Sequence, residues 1–220
     1  MELTAGSCIR FGWETFKKRS WFFVGVTVLY YFVAWAMSYL SGLVDGAVAA
    51  GGQSVAGHVL GFLISYGLAT FLGLLLVTFL LKAHDDAEHV QVSDAWRQAL
   101  RYAPFLLASI LLFIIVMGGL ILLIVPGIIF SIMFGFASYL VVDRGLNPTE
   151  ALRESRRITS GHKWMLFRLT LLSFLVILLG FVCLFVGLLV AIPVVWLAGV
   201  HAYRALSAKA GEPAPSAAHA

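Results

Sequence analysis

The densest group of side chains able to bind a metal lies at residues 84–89, with the sequence His-Asp-Asp-Ala-Glu-His. On a helix, His84 and Glu88 are four residues apart, as are Asp85 and His89, and this spacing lets two side chains share one ion. The alternative is a solvated helix exit just below a membrane span, where polar residues are expected in any case. Because no distant His or Asp obviously completes a ligand shell, we predict neither a metal nor any other cofactor.

A second group of side chains is suited to binding phosphate. It consists of six basic residues: Arg144, Arg153, Arg156, Arg157, Lys163 and Arg168. Guanidinium groups bind phosphate oxygens in pairs, and basic clusters beside membrane spans attract anionic lipid head groups. We predict a lipid head-group or phosphate site at these residues. The alternative is that they only hold this segment on one side of the membrane and pair with Glu150 and Glu154.

Other catalytic or transport chemistry has little support in the sequence. No Asp, Glu, Lys or Arg lies near the middle of any predicted span, where ion-coupled transporters usually need one. No Ser-His-Asp set, phosphate-binding loop or paired carboxylate occurs in a recognisable setting. Cys8 and Cys183 lie in a polar and an apolar segment respectively, so we predict free thiols. We therefore predict that the protein is not an enzyme.

The composition indicates that membrane helices position these side chains. Of the 220 residues, 61% are hydrophobic and only 12% are charged, and the mean hydropathy is +0.96. A soluble domain needs apolar residues for its core, whereas a membrane domain also presents them to lipid. The net charge of +4 comes from scattered residues with little polar surface around them. We therefore predict no nucleic-acid partner.

The distribution of basic residues predicts the topology. Three long apolar blocks stand out: Ser20–Leu81, Pro104–Val142 and Trp164–Val200. If each block is a hairpin of two spans of about 20 residues, all fifteen Lys and Arg residues fall on one side, as the positive-inside rule expects. We predict an all-α polytopic protein with six transmembrane helices, located in the bacterial cytoplasmic (inner) membrane with both termini cytoplasmic. Residues 1–206 would form one membrane domain, and 207–220 a disordered cytoplasmic tail.

The positions of the hairpin turns are less well marked. The first block is predicted to turn through a flexible loop, Ser41–Gly57. In the second block the turn has two candidate positions, Gly118-Gly119 and Val125-Pro126-Gly127, because proline is poorly tolerated inside a helix. We expect a bend between these points, which leaves one arm short or kinked. The third block is predicted to turn near Gly180–Gly187.

A short amphipathic helix is expected on the cytoplasmic surface before each hairpin. The first has an apolar face of Ile9, Trp13 and Phe16, and the second covers Asp94–Ala103. The third has the clearest boundary signals, which are an N-cap, a first-turn proline, a capping-box acid and a left-handed stop: Asn147, Pro148, Glu150 and Gly161. Three copies of one unit would explain this pattern, and so would convergent amphipathicity.

Several of these features follow one another in a distinctive order. They are Ile124–Ile129, Ser138–Asp143, Asn147–Ser155, and then Thr159, Gly161 and Trp164. With the Gly12-Trp13 opening, this order resembles a broad group of bacterial six-span membrane proteins of unknown function. That group is similar to the membrane domain fused, in some bacteria, to glycerophosphodiester phosphodiesterases. The resemblance implies a membrane module that acts near phospholipids, and it carries over no catalytic residue.

We predict a non-enzymatic inner-membrane protein that binds anionic phospholipid or organises a membrane partner. Anionic head groups are the expected partners, and a protein partner or a second copy stays open. One alternative is a small transporter or exporter of an apolar or amphipathic compound, in which Pro126 and Pro193 break helices around a cavity. Another is an enzyme that uses the cluster at 84–89.

Overall fold

The computed structural model describes residues 4–50, 55–85, 102–122, 124–183 and 187–210. Within these ranges the chain forms helices and no strand. In chain order they are α1 (Ala5–Lys18), α2 (Ser20–Ala50), α3 (Val55–Asp85), α4 (Tyr102–Leu122), α5 (Ile124–Phe134), α6 (Ala137–Arg144), α7 (Pro148–Thr159), α8 (Lys163–Val182) and α9 (Leu188–Lys209).

The described residues contain six segments that are long and apolar enough to cross a membrane. They are Ser20–Tyr39, Gly61–Asp85, Tyr102–Ile121, Val125–Arg144, Lys163–Val182 and Leu188–Lys209. Helices α5 and α6 together form the fourth span. Consecutive spans pack as three hairpins, α2 on α3, α4 on α5, and α8 on α9. The prediction of an all-α, six-span protein is confirmed, and the chain is a multi-pass membrane protein.

The prediction of a flexible loop at Ser41–Gly57 is wrong. Helix α2 continues through this segment to Ala50, and α3 already begins at Val55. The segment contains several alanines, and alanine has the highest helix propensity of all residues. Its glycines and low hydropathy therefore indicated the end of the membrane span and not the end of the helix.

The second hairpin turns between the two candidate positions, as predicted. Helix α4 ends at Leu122 and α5 begins at Ile124. Pro126 lies in the first turn of α5, where a missing N–H removes no helical hydrogen bond. The returning arm is also kinked, because α5 and α6 are separated by a turn at Gly135–Phe136. At Gly135 a β-carbon would lie 2.7 Å from the carbonyl oxygen of Ser131, so the turn requires glycine.

Hydroxyl groups of α7 stabilise this break. The carbonyl oxygen of Met133, just before the turn, accepts hydrogen bonds from Ser155 at 2.9 Å and from Thr159 at 3.2 Å. Both side chains are fully buried. Broken helices persist in membranes where neighbouring Ser and Thr side chains satisfy the freed backbone groups. Helix α7 is therefore part of the bundle and holds the fourth span in its broken form.

The predicted boundaries of α7 are confirmed. Asn147 precedes the helix, and its N–H donates to the Glu150 carboxylate at 3.4 Å. Pro148 is the first helical residue. Gly161 has a φ of 80°, the left-handed conformation expected for a residue that ends a helix.

Helix α1 packs along α9 through a face that overlaps the predicted one, since Phe16 is buried and Ile9 packs against the core as expected. Cys8, Gly12 and Phe16 are buried, whereas Trp13 is 44% exposed. A β-carbon at Gly12 would overlap the carbonyl oxygen of Val194, so the two backbones touch at this point. The hydrophobic pattern missed this contact because glycine carries no apolar side chain. Burial raises the pKa of the Cys8 thiol above its usual value.

Three predictions lie wholly or partly outside the described residues. They concern residues 86–89 of the metal-capable cluster, residues 94–101 of the second amphipathic helix and residues 211–220 of the tail. The predicted tail begins too early, because α9 continues to Lys209 and Ser207 is buried.

Candidate functional site: a basic rim and a charged junction

The six residues predicted to bind lipid head groups lie on α6, α7 and α8, and we refer to them as the basic rim. Two of them share one carboxylate. Arg157 donates from Nε and Nη2 to Glu154 at 2.8 Å each, and Arg144 Nη1 lies 3.8 Å from the same side chain. These two guanidinium groups are therefore partly neutralised and positioned by the protein itself.

The remaining four rim residues are exposed, namely Arg153, Arg156, Lys163 and Arg168. The guanidinium carbon of Arg168 lies 5.3 Å from the ring centroid of Trp164, within the range of a cation–π interaction. Lys163 begins α8 directly beside that tryptophan. The free positive charge of the rim is thus greatest on the outer face of α7 and at the start of α8.

An apolar groove of about 610 Å³ runs between α5 and α8. Apart from Lys163, its described lining is apolar: Val125, Ile128, Ile129, Ile132, Trp164 and Phe167. Trp164 joins the groove to Arg168, whose guanidinium group lies over its ring. The groove can therefore hold an apolar chain while Lys163 and Arg168 remain available to an anionic group at its edge.

Side chains from the ends of the second, fourth and sixth spans meet in a charged junction, formed by Asp85, Asp143, Tyr203 and Arg204. Arg204 Nη1 donates to both carboxylate oxygens of Asp143 at 2.9 Å, and its Nη2 donates to Asp85 at 2.6 Å. The Tyr203 hydroxyl donates to Asp143 Oδ2 at 2.7 Å. The side chains of Asp143 and Arg204 are only 6% and 14% exposed. The junction therefore ties α3, α6 and α9 together.

A pair of histidines connects the junction to α1. Nε2 of His84 lies 3.2 Å from Nδ1 of His201, so the two rings share a hydrogen bond. Nδ1 of His84 faces the carboxylate of Asp85, also at 3.2 Å. The ring of Phe11 stacks on His201 with centroids 4.0 Å apart. Helix α1 thus contacts the histidine pair through an aromatic side chain, and the pair connects it to the junction.

These contacts give the described part of the metal-capable cluster a structural role. His84 and Asp85 are bonded to His201 and Arg204, on the last helix. Across the part of the chain that the structure describes, no group of three or more His, Cys, Asp or Glu side chains could hold a metal ion. These hydrogen bonds fix the end of α3 against α9.

Sequence reasoning missed the junction because its members are far apart in the chain. Asp143 and Arg204 are 61 residues apart, and Asp85 and Arg204 are 119 residues apart. One signal was available, since each returning span ends in charged residues at a similar position. In three packed hairpins those ends come together, and an acid opposite a base then becomes a candidate pair.

Comparison with known proteins adds a partial similarity. Uncharacterised proteins of Mycobacterium bovis and of two Mycobacterium tuberculosis strains are 34% identical to the chain over 102 residues. The matched region covers 44% of this chain and 31% of each relative, so it spans about a third of their length. No family model and no solved structure matches the chain.

Proposed function

We propose that the chain is a non-enzymatic protein of the bacterial cytoplasmic (inner) membrane that binds anionic phospholipid at its basic rim. The observation that carries this proposal is the apolar groove between α5 and α8, with Lys163 on its wall and Arg168 at its edge. A phospholipid has the matching parts, since its acyl chain fits an apolar groove and its phosphate pairs with cations.

The charge of the rim supports an anionic over a zwitterionic lipid. Each Lys or Arg near an anionic leaflet contributes about 1 kcal/mol of attraction. Arg144 and Arg157 contribute less, because Glu154 already neutralises part of their charge. The positive-inside rule supports a cytoplasmic position for the rim and for both termini.

The charged junction supports a role without catalysis. Its polar groups are bonded to one another, as in a brace that fixes helix ends. The resemblance to the membrane domain found beside glycerophosphodiester phosphodiesterases agrees with a role near phospholipids. A protein partner or a second copy of the chain could then be organised around the bound lipid.

Native mass spectrometry of the full chain tests the proposal. The chain is exchanged into micelles with equal amounts of phosphatidylglycerol and phosphatidylcholine, and the retained lipid is identified. The Lys163→Gln/Arg168→Gln variant should retain about thirtyfold less phosphatidylglycerol, from about 1 kcal/mol for each lost charge.

The matched control removes two cations elsewhere. Arg10 and Lys209 are exposed on α1 and α9, and the Arg10→Gln/Lys209→Gln variant should keep the wild-type preference. Equal retention of phosphatidylglycerol by all three proteins would refute a head-group site at the rim.

A further inference from the structure

Another cavity, of about 330 Å³, lies beside the break in the fourth span, between that span, α8 and α9. Six lining residues carry the argument: Ser131, Gly135, Tyr139, Thr170, Ser173 and Trp196. Gly135 is the residue at which the helix turns, so the break and the cavity share a wall. Broken helices line the binding sites of many membrane transporters for the same geometric reason.

The cavity lies within the membrane-spanning part of the bundle. Ser131 belongs to the span Val125–Arg144, and Thr170 and Ser173 lie near the middle of the span Lys163–Val182. None of the described lining residues is charged. An ion at this depth would need charged side chains to balance it, so the cavity is suited to an uncharged molecule.

Two of the hydroxyl groups in the lining are already bonded to their own helices. Ser131 donates to the Ile128 carbonyl at 2.8 Å, and Thr170 donates to the Leu166 carbonyl at 3.0 Å. Hydroxyls of this kind satisfy themselves and can still accept a further bond.

The hydroxyls of Tyr139 and Ser173 differ, since neither has a hydrogen-bond partner among the described residues. The Tyr139 hydroxyl oxygen lies 3.7 Å from where a β-carbon on Gly199 would stand, and Gly199 also lines the cavity. Lipid supplies no water to such a group, and polar groups removed from water without a partner are costly. An oxygen atom on a bound molecule would satisfy them.

The Tyr139 ring is held in place by the charged junction. It stacks on Tyr203 with ring centroids 5.5 Å apart, and the Tyr203 hydroxyl is bonded to Asp143. Phe136 contacts Tyr139 edge to face at 5.9 Å. The donor is therefore oriented before any ligand arrives, which lowers the entropic cost of binding.

We propose that this cavity binds a small uncharged amphipathic molecule from the lipid phase, with an oxygen that accepts a hydrogen bond from Tyr139. The volume is at the lower end of the range for small-molecule sites. It suits a medium-chain alcohol or ketone and not a whole phospholipid. The cavity adjoins the α5–α8 groove, since Ile132 lines both, but the Tyr139 and Ser173 side chains line only the cavity.

Photolabelling tests the proposal with a diazirine derivative of octanol. The full-length protein in lipid nanodiscs is irradiated with the probe, and labelled residues are located by peptide mass spectrometry. We expect labels on residues that line the cavity. Unlabelled octanol should compete, whereas octane, which has the same chain but no oxygen, should compete at least fivefold less well.

Three variants distinguish binding of the probe in the cavity from its partitioning into the lipid. Tyr139→Phe removes the hydroxyl and keeps the ring, so apparent affinity should fall about fivefold, the effect of one hydrogen bond. Ser173→Leu fills the cavity and should abolish labelling there. The control is Tyr39→Phe, on an exposed tyrosine of α2, and it should label like the wild type.

The result that would overturn the proposal is equally specific. Labels spread over the lipid-facing surface, or cavity labels that survive both Tyr139→Phe and Ser173→Leu, would show that the probe only partitions into lipid. Equal competition by octane would show that a hydrogen bond from Tyr139 does not contribute to binding. Loss of phosphatidylglycerol binding at the rim would leave the cavity result unchanged.

Discussion

Replacing Arg204 by methionine is the sharpest test of the charged junction. The change removes a cation and keeps a long unbranched side chain of similar volume. Among the described residues, it leaves the Asp143 carboxylate, 94% buried, with only the Tyr203 hydroxyl as a donor. Breaking a buried ion pair by removing one partner costs about 3–5 kcal/mol. We therefore expect the free energy of unfolding to fall by about 3 kcal/mol or more.

Two further variants distinguish the cost of an unpaired buried charge from a non-specific loss of stability. Asp85 is 52% exposed, and an exposed pair is worth about 0–1 kcal/mol, so Asp85→Asn should be nearly neutral. Asp143→Asn combined with Arg204→Met removes both buried charges. The double variant should be more stable than Arg204→Met alone, because no uncompensated charge remains.

The assay is reversible unfolding in mixed micelles of increasing dodecyl sulfate content, followed by circular dichroism and tryptophan fluorescence. Arg10→Met is the matched control. It changes the same residue type where the side chain is 80% exposed and paired with Glu14, and its cost should stay below about 1 kcal/mol. The reasoning fails if Arg204→Met costs no more than this control, or if the double variant is no more stable than Arg204→Met alone.

Three other predictions follow from the packing. Ser155→Ala with Thr159→Val leaves a buried carbonyl without a partner, and should lower the free energy of unfolding by about 1–3 kcal/mol in the same assay; no change would mean that the break is stable without α7. Gly12→Ala should be destabilising by about 1–3 kcal/mol because its β-carbon overlaps a neighbouring backbone, whereas Gly6→Ala, with open space around it, should be neutral or stabilising. Cys183 is exposed at the turn of the third hairpin, so a membrane-impermeant maleimide should label it on intact cells; labelling only after lysis would contradict cytoplasmic termini.

The parts of the fold that depend on local sequence were predictable. Span number follows from hydropathy over about 20 residues, and the boundaries of α7 follow from its proline, acid and glycine. The prediction of a loop at Ser41–Gly57 was wrong because two local sequence signals conflict there. Glycine and low hydropathy indicate a loop, whereas alanine favours a helix, and the helix continues to Ala50.

For the candidate sites, the sequence predicted which charged residues are present but not which of them contact one another. The basic cluster was visible, but its pairing was not, since Arg144 reaches Glu154 from another helix. Glu150, an expected partner, instead caps α7. The junction and the cavity depend on which helix ends meet and on how far a broken helix shifts. Those are properties of packing between distant segments, and hydropathy carries no information about them.

The two faces of α7 explain why a short polar helix is built into the membrane domain. Its buried hydroxyls satisfy the carbonyl that the break in the fourth span sets free, and its outer face carries Arg153 and Arg156. A freed carbonyl in lipid has no water to bond, so α7 stabilises the break in the fourth span by supplying donors to it. A helix held in this way cannot leave the bundle to follow a head group. If lipid binds at the basic rim as we propose, it would come to a fixed surface, because the rim residues on α7 are held by the bundle.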